Sequence, residues 1–208
     1  QDSTIIPTKT SVTELKIARK KSDLKCAKFL KEDTETKITN AQKGTLIHLC
    51  MQKLDTQNKN YTYSQIKDLV QDLENKKIIT HKEAEAININ KVYQFTKSKI
   101  WEEMIHAHAV HREKAFYISI PAKEVFDKEL EEKILVQGVI DLYYINEQNE
   151  LILVDFKTDY VEDRNEQILV DKYNIQLELY KRALEDALQR KVDKVYIYST
   201  YLEKEILI

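Results

Sequence analysis

From Tyr63 to Lys76 the apolar residues fall at Ile66, Leu69, Val70 and Leu73, the spacing that gathers one face of a helix. Gly44 to Asp55 carries a denser version. Leu46, Ile47, Leu49, Cys50, Met51 and Leu54 leave few polar positions there, as in a buried helix, and His48 and Gln52, four apart, share a face. Thr80 followed by Glu83 has the spacing of a capping box and opens a short helix to about Ile87. Helical periodicity then runs from Val92 to His106, with Val92, Phe95, Ile100, Trp101, Met104 and Ile105 available for packing. Ahead of these, the first dozen residues read as an extended arm, a helical pattern begins at Ser11, and Lys31 to Gln42 is a polar loop. The N-terminal half thus reads as helices.

After Ala109 the period shortens to two. Glu113 to Ile120 is rich in aromatic and β-branched residues and reads as a strand that Pro121 stops. Pro121 to Lys133 is acidic and poor in apolar residues, which predicts a loop or an exposed helix. Ile134 to Ile145 and Leu151 to Lys157 are two strands joined by the polar residues Asn146 to Glu150, a hairpin. Asp159 to Asp171 is polar and irregular, Tyr173 to Lys191 a strong helix, Val192 to Thr200 a buried strand and Glu205 to Ile208 an edge strand. The order predicts an α/β fold, a central mixed sheet flanked by helices. A helical portion over residues 1–110 precedes a sheet-rich core over 111–208, the two forming one domain.

Composition narrows the function. The 208 residues, 42% of them apolar, suffice for one domain with a substantial core. Charged residues make up 33% yet cancel to a net charge of −2, so no global positive field draws the protein onto nucleic acid, and any such contact is local. The basic run from Lys16 to Lys31 has two readings, a solvated helix face or a patch that tracks phosphates. Cys26 and Cys50 are too few for a disulfide framework or a four-cysteine metal site, which suits a reducing, intracellular setting. With Gly44 and Gly138 the only glycines, neither a P-loop nor a dinucleotide loop can be assembled. No apolar run approaches the about 20 residues that span a bilayer. A start at Gln1 suggests a piece of a longer polypeptide.

The candidate chemistry lies in GVIDLYYINEQNELILVDFKTD, Gly138 to Asp159, where charges close two apolar runs. Alternation along the second strand sends Asp155 and Lys157 to one face, side by side. If the strands pair across the short turn, Asp141 and Asp155 approach each other, although sequence does not fix the register. Two carboxylates brought together in partial burial favour either a shared proton or a cation between them. The plainer alternative pairs Asp155 with Lys157 at the end of an exposed strand.

Gly138-Val139-Ile140-Asp141, then Val154-Asp155-Phe156-Lys157-Thr158-Asp159, then Gln176 and Tyr180 at QxxxY spacing resemble the RecB-like branch of the PD-(D/E)XK nucleases, closest to the AddA-type nuclease domains of bacterial AddAB helicase-nucleases. Upstream, GTLIHLCMQ resembles the histidine motif of that family, HREKAFYI its first core strand with a glutamate, and KTSVTELK its leading segment. Ile140 stands where the superfamily motif has proline, a departure common in this branch, and the four clustered cysteines of its iron–sulfur members are absent.

The resemblance implies metal binding by Asp141, Asp155 and His48, with the Phe156 carbonyl as a further oxygen, and Lys157 as the catalytic lysine. Mg2+ is the implied ion, and the imidazole also admits Mn2+. Glu113 is implied near the site, against a plain strand-end charge. Gln176, Tyr180 and Tyr173 share a helix face that the family turns to its active site and DNA, against simple core packing for the tyrosines. The implied activity is hydrolysis of single-stranded DNA delivered by a helicase part, with a protein of AddB type as partner, in double-strand break repair by recombination in a bacterial cytoplasm. A catalytically silent nuclease fold that docks or guides DNA is the rival reading. A stand-alone restriction-type or defence nuclease is a third.

Overall fold

The structure is a computed structural model that describes residues 9–11, 37–121 and 133–208. The basic run Lys16 to Lys31 and the segment following Pro121 lie outside the described residues, apart from Lys133.

Six strands form one mixed sheet: β1 (Lys9–Ser11), β2 (Ala109–Pro121), β3 (Lys133–Ile145), β4 (Leu151–Lys157), β5 (Lys194–Ser199) and β6 (Lys204–Leu207). β2 runs antiparallel to β3 over its whole length. The opposite edge of β3 is shared in succession by β1, parallel at Leu135 to Gln137, and by β4, antiparallel at Leu142 to Ile145. β5 then pairs parallel with β4, and β6 antiparallel with β5 as the far edge. Lys9–Ser11, expected as a linker or extended arm with a helical pattern from Ser11, is instead a strand of the sheet as far as Ser11.

Helices cover both faces. On one lie α1 (Asn40–Lys53), α2 (Tyr63–Asn75), α3 (His81–Ala86), α4 (Ile89–Phe95) and α5 (Lys99–Met104). They pack Cys50, Ile66, Phe95 and Trp101 against Leu142, Tyr144, Val154, Phe156 and Tyr198. On the other lies α6 (Gln167–Leu188), packing Leu177, Tyr180 and Leu184 against Leu151, Leu153, Val195 and Ile197. The alternation predicted for β4 is met: odd positions face α6 and even positions face the helical layer.

Three helix starts are set by capping boxes: Thr39 with Gln42, Thr62 with Gln65, and Thr80 with Glu83. The first begins α1 ahead of Gly44, inside what reads as loop. The helical run expected from Val92 to His106 is broken between α4 and α5. There the Thr96 and Ser98 hydroxyls donate to the carbonyls of Tyr93 and Phe95, and Ser98 Oγ caps the Trp101 N–H of the next helix. α6 begins at Gln167, earlier than its apolar pattern suggests, because in its first turn only Leu169 is buried; Gln189 in a left-handed conformation (φ 49°) ends it. No helix among the described residues is long and apolar enough to cross a membrane.

Candidate active site

The site forms where β3 and β4 part. Their pairing ends at Leu142 opposite Val154, so Asp141 and Asp155 come next, opposite each other in register. The Asp141 carboxylate replaces the lost ladder: its Oδ2 accepts from the Phe156 N–H at 2.8 Å. Across the other edge of β3, Glu113 is the register partner of Asp141, between the pairs Arg112–Leu142 and Lys114–Ile140. Glu113 has φ 51°, left-handed backbone that a non-glycine residue adopts at a cost. Here the face alternation of both strands slips. Ile134, Val136, Ile140, Ile118 and Ile120 pack on the α6 side, whereas Leu142, Tyr144 and Val110 pack against the helical layer. The kink leaves the acidic positions at the seam between the two layers.

α1 is pinned over this seam at both ends. A Cβ on Gly44 would fall 2.6 Å from Thr158 Oγ1, so only glycine lets the helix approach the end of β4 so closely. Beyond Lys53, Arg112 of β2 donates to the carbonyls of Gln52 at 3.0 Å and Leu54 at 2.7 Å, satisfying groups the helix end leaves open. Between these anchors His48 presents Nδ1 3.9 Å from Asp141 Oδ2, with its ring against the edge of Phe156. Burial holds the His48 imidazole down to about 4, with the Lys157 ammonium adding to the effect and Asp155 and a hydrogen bond with the Phe156 backbone opposing it. It is therefore a neutral lone-pair donor at neutral pH.

Asp141 is pushed up to about 7, first by burial and then by the Asp155 charge; the Phe156 N–H and Lys157 oppose this, while Glu113 adds to it. Asp155 is 1% exposed and engaged from the α6 side. Gln176 Nε2 donates to its Oδ1 at 3.1 Å, and Lys157 Nζ forms an ion pair with Oδ2, which has no other partner among the described residues. Gln176 also hydrogen-bonds the Tyr180 hydroxyl, whose ionisation burial suppresses. Tyr180 sits edge-on to Phe116, and a Cβ on Gly138 would strike the rings of both. The Lys157 ammonium lies over the Tyr173 ring, 4.2 Å from its centre, and the Tyr173 hydroxyl donates to Asp159 at 2.8 Å.

A cavity of about 420 Å3 opens onto His48, Gln52, Glu113, Asp141, Phe156 and Lys157. Asp155, Gln176, Tyr173 and Tyr180 do not line it; they form the layer behind Lys157. All nine residues singled out in the sequence thus fall in one neighbourhood, in two tiers. Sequence reading quoted Arg112, Thr158 and Asp159 within its motifs but gave none of them a role. Thr158 and Asp159 follow directly on the lysine, whereas the contact of Arg112 with Gln52 and Leu54 joins segments about 60 residues apart and has no local signal.

The donor set suits a divalent cation. It combines a neutral imidazole, a carboxylate with an unmatched neighbouring charge and a buried carboxylate oxygen answered only by an ammonium. Among the described residues no three His, Cys, Asp or Glu side chains converge closely enough to enclose an ion by themselves.

Comparison with known proteins identifies the family. Residues 22–206 match the PD-(D/E)XK nuclease superfamily, and the chain belongs to it. More particularly, it is similar to ATP-dependent helicase/nuclease subunits of the AddA type. Identity is 35% over 93% of this chain in Thermoanaerobacter sp. (strain X514), 38% over 95% in Clostridium kluyveri and 30% over 99% in Clostridium novyi. The chain spans 17%, 17% and 18% of those relatives. It is a nuclease-fold domain homologous to a part of these longer proteins.

Proposed function

We propose that the chain is the metal-dependent deoxyribonuclease domain of an AddAB-type helicase-nuclease, hydrolysing phosphodiester bonds of single-stranded DNA in double-strand break repair by recombination. One observation carries the reading: Asp141 and Asp155 stand opposite in register at the end of the hairpin, with His48 facing the first and Lys157 beside the second, and Asp141, His48 and Lys157 line a cavity with Asp155 behind them. Homology to the AddA-type relatives supports the wider setting, with a helicase part that supplies the strand, a partner protein of AddB type and a bacterial cytoplasm.

Asp141, Asp155, His48 and the Phe156 carbonyl would hold the divalent ion, Mg2+ or Mn2+. When bound, it supplies positive charge against the phosphate oxygens and makes water more acidic. The remaining work falls to the protein. Lys157 orients the attacking water and donates toward the phosphate oxygen on which charge develops. The water oxygen forms a bond to phosphorus, the ester bond to the leaving nucleotide breaks, and the proton ends on the departing alkoxide. Gln176 fixes the Asp155 carboxylate, and Tyr173 fixes the ammonium of Lys157 while Tyr180 closes the tier behind them. Glu113, across from Asp141, adds negative charge on the cavity side.

The rival reading, a silent nuclease fold that guides DNA, draws on the burial of Asp155 and its engagement with Lys157. Cleavage of a single-stranded oligonucleotide with Mg2+ or Mn2+ decides between them. The unaltered chain cuts and Asp155→Ala does not; equal cutting by both, or none by either, overturns the enzyme reading.

A further inference from the structure

A second cavity, about 670 Å3, adjoins the first. Ala41, Gly44, Thr158 and Asp159 line both, so the two meet between the start of α1 and the residues that follow β4. Lys43 from α1 and Lys91 from α4 line the second cavity, together with Asn88, Tyr160 and Tyr201. Its one acidic residue, Asp159, is already answered by the Lys172 ammonium and the Tyr173 hydroxyl from α6. Among the described residues neither Lys43 nor Lys91 has an ion-pair partner. In a protein of net charge −2 this is a local positive surface beside the candidate active site.

The aromatic pair is the second element. Tyr160 is 71% exposed, an unusual exposure for a large ring, and its ring meets Tyr201 edge to face with centres 4.9 Å apart. Tyr201 is half-buried and packs against the core on the α6 side, so it braces Tyr160 from within. A concave wall with lysines for the backbone and an aromatic face for a base is the composition that binds single strands without reading sequence.

We propose that this cavity is a subsite for the single strand next to the scissile phosphate, with Lys43 and Lys91 against backbone phosphates and Tyr160, held by Tyr201, under a base. The inference rests on the nuclease reading for its substrate, and its test separates the two. Binding of fluorescein-labelled oligothymidine is followed by anisotropy in EDTA, where no cleavage occurs. Tyr160→Ala weakens binding about fivefold or more, the loss of one stacked base, whereas Tyr160→Phe retains it. Lys43→Ala and Lys91→Ala each lower the slope of log affinity against log salt by about 0.7. Hydrolysis of bis(p-nitrophenyl) phosphate, too small to reach the second cavity, is unchanged by all four substitutions. Binding that falls in the alanine variants while neither substrate is hydrolysed supports the subsite and removes only the enzyme reading. The proposal is overturned if the unaltered chain does not bind the strand, if a duplex hairpin competes equally well, or if the alanine variants bind as tightly as the unaltered chain.

Discussion

Asp141 lies across from Asp155, one step beyond the last paired residues of the hairpin, and its carboxylate caps the Phe156 N–H that the ladder leaves open. The arrangement buries the Asp141 carboxylate and sets it against the charge of Asp155. Asp141 has an ordinary value of 3.8 and is pushed up to about 7, so the folded chain binds the extra proton between these limits. Its contribution to stability is present below 3.8 and is lost as pH rises through about 7. Asp141→Asn keeps an acceptor for the Phe156 N–H and removes both the buried charge and its repulsion by Asp155. The variant melts higher than the unaltered chain at neutral pH, by about 2–4 °C for each kcal/mol relieved, and on the proposed reading it no longer cleaves. Melting curves across this range check it; an advantage that does not grow with pH overturns it.

His48 works in the opposite sense. Its imidazole falls from 6.5 to about 4 in the folded chain, so the unfolded chain takes up the proton first on acidification. Stability tied to neutral His48 is present above 6.5 and lost as pH falls through about 4. Denaturant unfolding of the unaltered chain and His48→Gln therefore shows the unaltered chain losing ground to the variant over that interval. Parallel curves would mean that the imidazole is not desolvated.

Glu113 carries left-handed backbone opposite Asp141. Replacement by glycine relieves a strain of about 1–2 kcal/mol, so Glu113→Gly melts at or above the temperature of Glu113→Gln. Both variants lose the carboxylate, and on the proposed reading both lower cleavage. A glycine variant less stable than the glutamine variant would show that the backbone is not strained there.

The approach of α1 to β4 makes a paired prediction. Gly44→Ala places a Cβ on Thr158 Oγ1 and costs about 1–3 kcal/mol by overpacking. Adding Thr158→Ala removes the obstructing hydroxyl, so the double variant regains that loss and keeps the helix preference for alanine over glycine, about 1 kcal/mol. Unfolding of the single and double variants measures the coupling, and additive effects would place the two residues out of contact.

Legibility of the fold followed the range of the forces. Ile66, Val70 and Leu73 announced the inward face of α2 because helical periodicity is written into neighbouring residues. The Asn146–Glu150 connection announced the hairpin for the same reason. The first turn of α6 was hidden because only Leu169 of it is buried and its short apolar run Ile168 to Val170 sits between polar stretches, and the start of α1 because its cap lies ahead of its apolar residues.

By itself the sequence determined the chemical types at the site, two acids, an imidazole and a lysine, and the alternation that sends Asp155 and Lys157 to the face of α6. The tertiary structure decided the rest: the register that sets Asp141 against Asp155, the kink at Glu113, and the pinning of α1 by Thr158 and Arg112 that brings His48 to Asp141. Periodicity acts over a few residues and is readable locally. Register and helix placement come from contacts between segments far apart in the chain, which take effect only once the sheet and its two helical layers pack together.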